Sequence, residues 1–157
     1  MNKAWSTPIV RVAVLGAIAA FVGRAAMAEQ PPIPNALRCE FSAYTAGTSE
    51  PHQIAFDVAA KDEGGIDPLI YSALDPDKRT AQMVGNAGAS DVTFFAMSTT
   101  WSFVEVTDFG NVTVTQVFLW DEPEAELGVY RAVHSRQSSI MGAIAASQHY
   151  GHCKALN

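Results

Sequence analysis

The chain has 157 residues, 48% of them hydrophobic, which is enough for one domain with one core. Its 16 acidic residues outnumber 10 basic ones, giving a formal charge of −6. That balance repels phosphate backbones and anionic membrane surfaces, so the expected partners do not include nucleic acid.

Residues 1–28 read as an export address rather than as part of the fold. Lys3 and Arg11 give a positive start, and Val12 to Val22 is an unbroken apolar run of 11 residues. Gly23 and Arg24 break the run, and Ala26-Met27-Ala28 supplies the small-x-small pattern of a signal peptidase site, with cleavage after Ala28. A spanning helix needs roughly 18 to 20 apolar residues, so this segment is too short to serve as an anchor. No stable membrane insertion is therefore expected after cleavage. Losing Lys3, Arg11 and Arg24 leaves seven basic residues against 16 acidic ones, a formal charge of −9. The expected destination is the periplasm or the medium.

Residues 29–36 carry three of the prolines and predict an extended lead-in, followed by a single β domain over 37–157. Leu37, Cys39, Phe41 and Ala43 alternate with Arg38, Glu40 and Ser42, the period of a half-buried strand. Gly47 to Pro51 predicts a loop and His52 to Ala60 a weak strand. The glycine-rich stretch 61–68 predicts a loop, and Leu69 to Leu74 a further strand. Asp75-Pro76-Asp77-Lys78 has the residues of a type I turn, so Arg79 to Val84 should return antiparallel up to a second turn at Gly85 to Gly88.

The middle of the chain carries the densest β signal. Asp91 to Ser98, Trp101 to Thr107 and Asn111 to Leu119 are rich in β-branched and aromatic residues. Thr99-Thr100 and Asp108-Phe109-Gly110 are short enough for hairpins. An acidic loop spans 121–128, and Gly128 to Ser135 predicts the last clear strand. Ser138 to His149 is rich in small residues and predicts a short helix or a packed loop. Sequential short strands with tight turns predict a mostly β domain, an antiparallel meander closed into a barrel or folded as a sandwich.

Cys39 and Cys153 stand near opposite ends of the domain. In an oxidising compartment an even count predicts a disulfide. The chain-entropy account gives closure of such a long loop roughly 4 to 5 kcal/mol. The alternative role for Cys153 is a thiol or metal ligand beside His149 and His152.

The tail also carries a resemblance. Ala132-Val133-His134-Ser135-Arg136 and Ser147-Gln148-His149-Tyr150-Gly151-His152-Cys153, with Met83-Val84-Gly85-Asn86 and Phe103-Val104-Glu105-Val106-Thr107 upstream, look like small exported proteins of alphaproteobacteria. Those proteins end in an alanine-valine-histidine-serine-arginine stretch and a serine-glutamine-tyrosine-tyrosine-glycine run before a last cysteine. The chain departs from that pattern at Gln137, His149 and His152. The resemblance implies an exported β domain and carries no activity with it.

Several side chains can carry chemistry. His149 and His152 are three apart and, on a helical turn, would share a side, so with His134 they form a candidate zinc or copper site. The competing reading places His134 in the β structure and the other two on an exposed loop. Adjacent strand residues face opposite ways, so His134 cannot activate Ser135 as a nucleophile, and no glycine-bracketed serine elbow is present. His134 and Arg136 share a strand face and together suit an anionic group, unless Arg136 pairs with a carboxylate. The aromatics, Trp101 and Phe103 foremost, either line a ligand pocket or fill a small barrel. No catalytic constellation and no cofactor motif stands out. The sequence therefore predicts a non-enzymatic binding or interaction module for an envelope or extracellular partner. A carrier of a small apolar ligand and a metal-binding protein are the alternatives.

Overall fold

A computed structural model describes residues 31–51, 57–61, 65–119 and 127–156. The predicted leader, the start of the weak strand at His52, Trp120 and most of the acidic loop lie outside them. Residues 31–35 lead in without regular structure. Nine strands follow: β1 (Ala36–Ser49), β2 (Asp57–Lys61), β3 (Leu69–Asp75), β4 (Thr80–Gly85), β5 (Gly88–Ala96), β6 (Thr100–Val106), β7 (Val112–Phe118), β8 (Val129–Ile140) and β9 (Ala143–Leu156).

All pairings are antiparallel, and β3 through β9 pair in chain order. β1 pairs with β3 through Ala36 to Cys39 and with β9 from Ala36 to Ser49, which closes the sheet on itself. The result is an eight-stranded barrel in place of a sandwich, with β2 added along Tyr44 to Thr48 of β1. Closure leaves the barrel strands without an open edge.

Cys39 and Cys153 are opposite each other in the β1–β9 ladder, both fully buried, and form the predicted disulfide. The bond therefore staples the seam that closes the barrel. Two glycines let backbones approach closely there. A Cβ on Gly151 would collide with the carbonyl oxygen of Glu40, beside the irregularity in β1 between Phe41 and Ala43. A Cβ on Gly65 would collide with the carbonyl oxygen of Phe41.

The expected helix or loop over Ser138 to His149 is neither. It is the end of β8, a two-residue turn, and the first half of β9, and no described residue is helical. The physical reason is pairing on both sides. β9 is bonded to β1 and β8 along nearly its whole length, so tertiary hydrogen bonding overrides the weak strand propensity of its alanines. Met141 and Gly142 take φ of 53° and 85°, the positive values a tight I′ hairpin requires. Likewise Gly47 to Ser49, expected in a loop, continue β1 because β9 holds them.

The predicted turn at Asp75 forms, its carboxylate accepting from the Lys78 amide at 2.9 Å and ion-pairing with the Lys78 ammonium at 2.7 Å. The alternation along β1 also holds. Leu37, Cys39 and Phe41 are buried, whereas Arg38 and Glu40 are exposed and pair with each other at 2.9 Å.

Candidate functional site

Reading inward-facing residues across β6, β7, β8 and β9 gives three rows of rising polarity. The first is Trp101, Val117, Ala132 and Gly151, paired in register and apolar throughout. Two residues along each strand, the second row is Phe103, Thr115, His134 and His149. Two further on, the third is Glu105, Thr113, Arg136 and Ser147. The period of two along each strand keeps all three rows on the barrel's inner face.

The apolar end is filled. Trp101 and Phe94 are completely buried, and Trp101 meets Tyr130 edge-on with ring centroids 5.4 Å apart. Phe103 stacks on Tyr71 at 4.0 Å and on Phe94 at 4.9 Å. An eight-stranded barrel is only wide enough for its own side chains here, so Trp101 and Phe103, named from sequence as candidate ligand contacts, form a plug. The indole Nε1 of Trp101 is buried with no hydrogen-bond partner.

The polar end opens into a cavity of about 550 Å³. One wall is polar: Glu105, Thr113, His134, Arg136 and His149 line it, with Ser90 beside Glu105. The opposite wall is mostly apolar, built from Ile66 and Leu69 before and on β3, Met83 on β4, and Ala87 and Ala89 around the β4–β5 turn. Thr107 and Asn111, ends of the β6–β7 hairpin, frame the rim, where the Thr107 amide donates to the Asn111 carbonyl at 2.9 Å.

A buried hydrogen-bond chain connects the plug to this cavity. The Tyr71 hydroxyl lies 2.6 Å from Thr115 Oγ1, which lies 2.7 Å from His134 Nδ1. The chain can run either way. If Tyr71 donates to Thr115 and Thr115 to the imidazole, His134 keeps its proton on Nε2; reversed, Nε2 presents a lone pair. Burial raises the Tyr71 hydroxyl far above its ordinary value, so it stays protonated.

Burial pushes His134 down to about 4, helped by the neighbouring His149 and Arg136 and opposed by Glu105. His149 is also lowered, by burial and then by Arg136. Both imidazoles are therefore uncharged at neutral pH. Their ring centroids are 6.0 Å apart, and Tyr44 stacks on His149 at 5.3 Å. His149 Nε2 contacts Ser147 Oγ at 3.2 Å, while its Nδ1 is buried without a partner. An orphaned buried nitrogen costs roughly 1 to 3 kcal/mol.

Glu105 is held on both sides. Its Oε1 accepts from Ser90 Oγ at 2.7 Å and its Oε2 from Thr113 Oγ1 at 3.2 Å. The ion pairs among the described residues are Arg38–Glu40 and Lys78–Asp75, so neither Glu105 nor Arg136 has a charged partner among those residues.

The predicted site residues thus divide. His134 and Arg136 share a face as expected and meet in the cavity with His149. His152 does not join them: on a strand rather than a helical turn, three residues from His149 reverses the side, and it is exposed. Among the described residues no group of three or more metal-ligating side chains is arranged around one point. Ser135 lies on the face opposite His134, less buried than its neighbour. No family model, curated protein or solved structure matches this chain.

Sequence reasoning missed Glu105, Thr113 and Ser90. The signal was present: Trp101, Phe103 and Glu105 share one face of β6, and a carboxylate on the aromatic face of a strand needs neighbours that can hydrogen-bond to it.

Proposed function

We propose that this protein is an exported, non-enzymatic binding module that holds a small amphipathic molecule in the open end of its barrel. The observation that carries the reading is the two-walled cavity of about 550 Å³, apolar on the β3–β4 side and lined by His134, Arg136, His149 and Glu105 on the other. Ligand sites of small molecules fall in the range of roughly 300 to 1,000 Å³ and combine apolar walls with a few convergent polar groups. A purely apolar ligand is disfavoured, since it would bury Glu105 and Arg136 without replacing their hydration.

Among the described residues that line the cavity there is no serine, cysteine or lysine nucleophile held by an adjacent imidazole base. Ser135 is turned away from His134, so that imidazole has no serine nucleophile beside it on β8. Export and membership among the small alphaproteobacterial proteins remain part of this proposal, resting on the leader-like first 28 residues and on the tail motifs.

The test is a thermal-shift and native mass spectrometry screen of amphipathic metabolites on the purified protein, repeated on Met83→Trp, which fills the apolar wall. Ligands that raise the melting temperature of the wild type and lose at least tenfold in affinity for Met83→Trp support the proposal. Binding that is indifferent to Met83→Trp, or none across the screen, overturns it.

A further inference from the structure

The charges in the cavity define its ligand more closely. Glu105 and Arg136 stand in one register row with Thr113 between them, on β6, β7 and β8. Two strand spacings separate their backbones by about 10 Å, close enough for two long side chains to meet. They do not form an ion pair. Glu105 is held instead by the neutral hydroxyls of Ser90 and Thr113, which leave its negative charge uncompensated and part of its accepting capacity free. Arg136 is exposed at the same cavity with no ion pair among the described residues. Asp67, on the loop before β3, adds a second carboxylate to the lining.

A purely anionic ligand would face Glu105 and Asp67 as like charges. A purely cationic ligand would face Arg136. The uncharged imidazoles of His134 and His149 tip the balance neither way and offer hydrogen bonds only. We infer that the cavity takes a zwitterion: a small molecule with an ammonium group for Glu105, a carboxylate for Arg136, and an apolar remainder for the opposite wall. A free amino acid with an apolar side chain, or a short peptide of such residues, meets all three demands. Its apolar part would lie against Leu69 and Met83. A guanidinium binds a carboxylate through two parallel N–H donors, so Arg136 also fixes the orientation of that end. This inference rests on the ligand-binding reading and names the chemistry of that same cavity.

Isothermal titration of the purified protein tests it with a matched set: L-leucine and leucyl-leucine carry both charges, 4-methylpentanoate lacks the ammonium, 3-methylbutylamine lacks the carboxylate, and 4-methylpentan-1-ol lacks both. The expected result is an affinity for leucine or leucyl-leucine about tenfold or more above that of every other compound, the size of one modest charged contact. Glu105→Gln should lower that affinity about tenfold, while binding of 4-methylpentanoate should rise or stay level, because a like charge is removed. Arg136→Gln should also lower the affinity for leucine about tenfold, while binding of the amine should rise or stay level. Thermal unfolding of each variant establishes that it is folded before it is titrated. Equal or tighter binding of a single-charge or uncharged compound, lost in Met83→Trp, overturns the zwitterion while sparing the ligand-binding cavity. Failure of the whole set to bind overturns the zwitterion as well, and the wider screen then decides the fate of the cavity.

Discussion

The two ends of one barrel use the same strands for opposite purposes. At one end Trp101, Phe103, Phe94 and Val117 exclude water and fill the interior. At the other, Glu105, Thr113, His134 and Arg136, two to four residues along the same strands, leave a space. The backbone is continuous across both, so the difference lies in the side chains that point inward. A barrel of this size has room for a cavity only where its inward positions are short or polar and held to the wall. Ser90, Thr113 and Thr115 meet that condition, because their hydroxyls tie Glu105 and His134 back to neighbouring strands.

The comparison predicts that stability is concentrated at the filled end. Phe103→Ala removes a ring stacked between Tyr71 and Phe94, and should cost about 3 to 5 kcal/mol in urea-induced unfolding. Ligand affinity measured under folding conditions should change little. An unchanged stability with lost binding would mean that Phe103 belongs to the ligand site and that the division is drawn in the wrong place. Cys39→Ala with Cys153→Ala should cost about 2 to 5 kcal/mol, because the bond spans 114 residues and closes the β1–β9 seam. A matching loss on treatment of the wild type with reductant under denaturing conditions, followed by refolding, checks the same point.

A smaller effect sharpens the comparison at the polar end. His134 binds a proton at 6.5 in an ordinary setting and at about 4 here, so the unfolded chain takes up the proton first as pH falls. Stability should be insensitive to this group above about pH 6.5 and decline from there to about pH 4, by up to about 3 kcal/mol at roughly 1.4 kcal/mol per pH unit. His149 acts in the same direction. Unfolding midpoints at pH 7 and pH 4.5 on wild type and His134→Gln measure it, and a decline of equal size in both would remove His134 as its source.

Much of this fold was legible in the sequence. The alternation of Leu37, Cys39 and Phe41, the β-branched runs from Asp91 to Leu119 and the Asp75 turn all express local chemistry, and each forms. The pairing of Cys39 with Cys153 followed from an even count. The last two strands were harder to read, because Ser138 to His149 has the small residues of a helix and becomes a strand only through β1, about 100 residues away in the chain. That error propagated to the site. A helical spacing groups His149 with His152, whereas a strand spacing separates them and groups His149 with His134. The shared face of His134 and Arg136 was legible because their segment reads as a strand, and β8 carries both. Glu105 was overlooked because a single carboxylate in a hydrophobic run looks unremarkable until the register shows Ser90 and Thr113 reaching for it.

The most direct test is amide chemical-shift mapping by NMR with the tightest ligand from the screen. Perturbations should cluster at Ser90, Glu105, Thr113, His134 and Arg136, with Trp101, Val117 and Ala132 unmoved. Perturbations centred on the aromatic end, or spread over the outer face of the barrel, would contradict that placement of the site.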